Sequence, residues 1–118
     1  MTKAAIVVLA DTETSGELGR VVNALTTAKE FKEAGDEVAL VFDGAGTKWI
    51  PALSDPGHRY SGLFGDVRDR VAGACEYCSG AYGVKDEVTN LGIELLGEYE
   101  QHPSLHRYAE RGYQVITF

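Results

Sequence analysis

Two cysteines are the residues best equipped for chemistry in this chain: Cys75 and Cys78, with Glu76 and Tyr77 between them. A C-x-x-C pair can close a disulfide, hold a metal, or pass electrons or sulfur. The apolar stretch Val71–Ala74 reads as a strand ending at Cys75, and the small residues up to Gly83 read as a short helix. That places the Cys75 thiol where free backbone N–H groups stabilise a thiolate and lower its pKa. Such a thiolate attacks the sulfur of a disulfide or persulfide donor and then carries an extra sulfur, with Cys78 as the resolving thiol. Glu76 acts the other way, because a nearby carboxylate disfavours the thiolate. The plainer alternative is two small buried packing residues.

Other donors stand further along. His102 and His106 are spaced to share one helix face, and with Cys75 and Cys78 they make a Cys₂His₂ zinc set. The gap from Cys78 to His102 is longer than zinc fingers use, and it contains an expected strand. Two polar loops, Asp11–Gly16 (DTETSG) and Asp43–Gly46 (DGAG), can line a pocket for an anion or polar ligand through Asp11, Asp43 and Gly44. Neither is a phosphate-binding signature, and no nucleophile elbow is present. Trp49 and Tyr60 can wall such a pocket or serve as core aromatics.

The elements that must position these residues follow from the pattern of apolar residues. Ala4–Ala10 and Glu37–Phe42 are near-continuous apolar runs, the mark of strands covered on both faces. Between them Leu18, Val21, Val22, Leu25, Ala28 and Phe31 recur at helical spacing, predicting a helix over about Glu17–Ala34 stopped by Gly35. Thr47 is the expected cap of a short helix carrying Trp49, Ile50 and Leu53. Asp55, Pro56 and Gly57 break the chain, and Leu63, Phe64, Val67 and Val71 predict another helix. Val84, Val88 and Leu91 suggest further helical turns. Ile93–Leu96 is a weak fourth strand, and His102–Gly112 a helix with Pro103 in its first turn. Tyr113–Phe118 is the fifth strand. The reading is a single α/β domain over residues 1–118, three-layered, with a five-stranded mostly parallel sheet. Ligands of such sheets gather at the carboxyl ends of the strands, where both polar loops and the cysteine turn converge.

Composition bounds the partners. A chain of 118 residues fits one domain with a hydrophobic core. The net charge of −7 argues against nucleic acid or an anionic membrane surface. The run Ala4–Ala10 is far shorter than the ~20 residues a spanning helix needs. Asp11 and Glu13 follow it rather than a cleavage site, so no signal peptide is expected. The expectation is a cytoplasmic protein, where paired thiols are reactive or metal-binding rather than structural disulfides.

With these residues placed, the chain resembles the DsrE family (DsrE/DsrF-like). The likeness lies in AAIVVLADTET, NALTTAKEFKEAGDEVALVFDGAGTKW, ACEYCSGAYGVKDEV and HPSLHRYAERGYQVITF, nearly the whole chain. It implies a small α/β fold, a homo-oligomer (trimer or hexamer), and a cysteine after the third strand that carries sulfur as a persulfide between donor and acceptor proteins. Cys75, with Gly83 and Val84 beyond it, matches that cysteine. Cys78 is an addition shared by some relatives, and Tyr82 stands where many relay members have an arginine. The leading expectation is therefore a sulfur or thiol-redox carrier acting through Cys75 and Cys78, without a cofactor. Two alternatives stand beside it: a non-enzymatic module holding a small ligand between Asp11, Asp43 and the cysteine turn, and a structural zinc protein.

Overall fold

The computed structural model describes residues 2–118. The run Ala4–Val8 is wholly buried, each residue 0% exposed, as a strand covered on both faces requires. It lies within β1 (Lys3–Val8). With β2 (Glu37–Phe42), β3 (Val71–Cys75), β4 (Leu95–Leu96) and β5 (Gln114–Thr117) it forms one sheet in the order β4-β3-β2-β1-β5. The expected mostly parallel sheet is parallel at every pairing. Among the described residues six α-helices accompany it: α1 (Ser15–Glu33), α2 (Trp49–Ser54), α3 (Ser61–Val67), α4 (Glu76–Ala81), α5 (Lys85–Asn90) and α6 (Leu105–Glu110).

Strand order and handedness place the helices. From β1 to β4 each step moves the same way across the sheet, so right-handed crossovers put α1 to α5 on one face. There Val21, Leu25, Phe64, Val67 and Val88 pack with Ile6, Leu40 and Phe42. The step from β4 to β5 runs back across the whole sheet, so α6 must take the opposite face. Its Leu105 and Tyr108 pack there against Val7, Val41 and Leu96. The three layers follow. So does a switch point, because the connections after β3 and β4 leave these neighbouring strands toward opposite faces, the place where such sheets commonly bind ligands.

Local chemistry sets the element ends. Thr14 caps α1, its hydroxyl accepting the Glu17 N–H at 3.2 Å while Glu17 Oε1 accepts the Thr14 hydroxyl at 3.1 Å. Gly35, at φ 80°, ends it as expected. Thr47 departs from expectation. It is buried inside a 3-10 turn, Gly44–Lys48, and its hydroxyl donates to the Gly44 carbonyl instead of capping α2. Pro103 precedes the Ser104 cap of α6 and lies outside the helix, whose first turn begins two residues later.

Gly46 sits against the carbonyl of Val8, and a Cβ there would overlap that oxygen and carbon. This close approach holds the loop after β2 against the end of β1. Gly46→Ala is expected to cost about 1–3 kcal/mol, the usual penalty of overpacking, read as a lower urea midpoint at unchanged m.

Candidate functional site

Register brings the first two groups together. Phe42 pairs with Ala74 across β2 and β3, so Asp43, just beyond β2, and Cys75, the last residue of β3, come side by side. One helical turn on, the Cys78 thiol donates toward Asp43 Oδ1 at 3.6 Å, and the Cys78 N–H donates to Cys75 Sγ at 3.4 Å. The fourth group arrives from the loop after β4. Tyr99 and His102 form a two-way backbone bridge, at 3.0 and 2.8 Å. Between them Glu100 and Gln101 hold positive φ, 48° and 67°. This is the backbone of a type I′ turn, costly for side-chain-bearing residues. The Gln101 carbonyl accepts the Tyr77 N–H at 2.9 Å, clamping the turn onto α4. His102 Nδ1 comes to rest 3.2 Å from Cys75 Sγ, its ring tilted against that of Tyr77 at 5.3 Å. One ligand atom each of Asp43, Cys75, Cys78 and His102 lies within 4.8 Å of the others.

Burial decides the state of Cys75. The side chain is 0% exposed, and loss of water pushes its thiol up to about 12; the Cys78 N–H pulls it down and the Asp43 carboxylate adds to the rise. The sequence leads to the opposite expectation, a thiol lowered by helical amides. A helix terminus contributes typically 0.3–1 kcal/mol, under one pK unit, whereas full burial shifts a group by up to 3–5 units. Cys75 is therefore a neutral thiol at neutral pH, able to donate its proton to His102 Nδ1 or to the Gln101 carbonyl 3.8 Å away. Cys78 is half-buried and is the more accessible of the two thiols.

The remaining candidates sort themselves around this cluster. Asp11 does not join it. Lys48 binds the Asp11 carboxylate at 2.6 Å and lies over the Tyr82 ring at 5.5 Å. Gly44 donates its N–H to Asp43 Oδ1 at 2.8 Å and so aims that carboxylate. Trp49 is a core residue, 3% exposed, whose indole donates to the Ala10 carbonyl at 2.9 Å. Tyr60 packs beside His58, at 6.2 Å between ring centroids, away from the thiols. His106 is exposed on α6 and His102 lies before that helix, so the two do not share a helix face. Asp43 occupies the place expected of His106. Its nearness follows from strand register, a tertiary fact without a spacing signal. A cavity of about 360 Å³ under α6 is lined by Ala72, Leu96, Arg107 and Tyr108, among others, and by neither cysteine.

Two measurements check this geometry. Iodoacetamide should alkylate Cys78 in the native reduced protein at least roughly tenfold faster than the buried Cys75, with equal rates after unfolding. Equal native rates would contradict the burial. The Lys48 ammonium, and after it the Thr12 N–H, hold the Asp11 carboxyl below the usual carboxylate value. A depressed folded pKa gives stabilisation that is full above the ordinary value near 3.9 and lost as pH falls through the folded pKa. Lys48→Met should move the Asp11 titration, followed by carboxyl NMR, back up toward that value.

No family model matches the chain. The fold is similar to that of the conserved protein of unknown function BT1422 from Bacteroides thetaiotaomicron, with TM-score 0.58 and 18% identity over 97% of this chain and 94% of that one. The sequence is 31% identical over 96 residues to the uncharacterized protein MJ0733 of Methanocaldococcus jannaschii, spanning 81% of this chain and 78% of the relative. On that extent of shared sequence, the chain belongs to the same protein family as MJ0733.

Proposed function

We propose that the chain is a thiol-based carrier that takes up and hands on sulfur through the Cys75–Cys78 pair. The observation behind it is the pair itself: one half-buried thiol and one buried thiol within 4.8 Å, beside an imidazole, at the carboxyl ends of the strands, where ligands of parallel sheets commonly bind. The likeness to DsrE-type relay proteins points the same way and puts the carried sulfur on Cys75. Exposure favours Cys78 as the entry thiol.

The steps balance as follows. The Cys78 thiolate attacks the outer sulfur of a donor persulfide, giving a Cys78 persulfide and the donor thiolate. An acceptor thiolate then takes that outer sulfur and restores Cys78. Without an acceptor, Cys75 attacks Cys78 Sγ while its proton passes to His102 Nδ1. A Cys75–Cys78 disulfide forms and hydrosulfide leaves. The exposed rings of Tyr77, Tyr82 and Tyr99, at 55, 45 and 66%, ring this rim and suit a protein donor or acceptor. The proposal includes self-association, since β5 is an edge strand with Val115 38% exposed. It also includes a cytoplasmic setting. Among the described residues no helix is long and apolar enough to cross a membrane.

The test is mass spectrometry of chelator-treated protein after incubation with a sulfurtransferase and its sulfur source. Wild type should gain one sulfur or close the disulfide with release of sulfide. Cys75→Ser should accumulate the persulfide on Cys78, and Cys78→Ser should lose at least about tenfold of the uptake. Uptake retained by Cys78→Ser would move the carrier role to Cys75. No added sulfur in wild type or either variant would end the proposal.

A further inference from the structure

We propose that Asp43, Cys75, Cys78 and His102 form a tetrahedral site for one zinc ion. The inference does not rest on the carrier reading. Its basis is the distances. Zinc bonds of about 2.0–2.3 Å place tetrahedral ligand atoms about 3.3–3.8 Å apart. Here Cys75 Sγ and His102 Nδ1 are 3.2 Å apart, and Cys78 Sγ and Asp43 Oδ1 are 3.6 Å apart. The widest separation in the set is under 4.8 Å, so closure onto the metal needs side-chain movements of about 1 Å or less.

The donor types point to zinc. Two thiolates, an imidazole and a carboxylate are the borderline-soft mixture this ion takes, and hard cations such as calcium or magnesium call for oxygen ligands alone. Binding releases the two thiol protons to solvent. The ion's two positive charges then meet two thiolates and one carboxylate, leaving a site of net charge −1 with a neutral imidazole. Three groups able to carry negative charge are thus packed together, and Lys48 of the adjoining loop is engaged with Asp11 and Glu13 instead.

Neighbouring groups already orient several of the ligands. The Asp43 carboxylate is oriented by the Gly44 N–H at 2.8 Å. The Cys78 N–H already points at Cys75 Sγ. His102 is fixed by its bridge to Tyr99 and by the Tyr77 ring. The donors come from the end of β2, the β3–α4 turn and the loop after β4, so the ion would join three separate segments. Four protein ligands leave no open position, which makes the site structural or regulatory rather than catalytic. A bound ion would also withhold both thiols from sulfur chemistry.

Reduced, chelator-stripped full-length protein titrated anaerobically with zinc, and with cobalt(II) as a spectroscopic stand-in, tests this. One equivalent should bind, cobalt giving intense tetrahedral bands with thiolate charge transfer, and zinc should raise the melting temperature. Outer-shell partners already change metal affinity 10–100-fold, so His102→Ala and Asp43→Asn should weaken zinc by at least about tenfold, while His106→Ala matches wild type. Circular dichroism of the metal-free variants confirms that they fold. Stoichiometry well below one, a six-coordinate cobalt spectrum, or equal affinity in His102→Ala and wild type would overturn the site. Protein that gains sulfur in chelator but binds no zinc sinks only this inference. Protein that binds zinc but never gains sulfur sinks only the carrier proposal.

Discussion

Parallel register between β2 and β3 is the constraint on which the functional rim depends. Because Phe42 lies opposite Ala74, a carboxylate and a thiol that are distant in sequence become neighbours where the two strands end. Shifting the pairing by one residue would send their side chains to opposite faces and dissolve the cluster. Beyond an irregularity between Leu40 and Val41 the register is held by burial: Val41, Phe42 and Ala74 are all 0% exposed, so a slip would break apolar packing on both faces. The core that stabilises the fold is thus the device that aligns the site.

The second constraint is the direction of the chain after β4. The return to β5 forces the connection onto the face opposite the other helices, and the chain leaves β4 over the end of β3. The turn there carries Glu100 and Gln101 in a backbone conformation that side chains disfavour. Such strain persists only where surrounding contacts hold it. Here the Tyr99–His102 bridge and the Tyr77 hydrogen bond do so. What the strain secures is an imidazole against a buried sulfur.

Electrostatics on the rim divides into two zones. Outside, Lys48 answers Asp11 and Glu13 in water, where ion pairs contribute modestly. Inside, Cys75 sits in a dry setting that holds its proton, beside groups that can receive that proton. A half-buried thiol in front of a buried one gives the pair an order of access. The same four groups suit a borderline-soft cation, which would take the place of the thiol protons. The proposed sulfur uptake and the proposed metal binding would therefore exclude one another, since both need the two thiols.

Much of the architecture was legible from residues alone. Near-continuous apolar runs marked β1 and β2, the spacing Leu18–Phe31 marked α1, and the cysteine turn was placed after β3. All of these are local signals, readable because side-chain period reports secondary structure directly. Element ends were less legible: Thr47 and Pro103 carry cap-like chemistry that the 3-10 turn and the Ser104 cap overrode. The site was half legible. Cys75, Cys78 and Asp43 were marked by type and by their place at strand ends, and His102 by type. Only tertiary structure decided that Asp43 and His102, and neither Asp11 nor His106, accompany the thiols, and that Cys75 is the sealed one of the pair. The physical reason is that register, crossover direction and loss of water are properties of packed elements, and no spacing along a single segment encodes them.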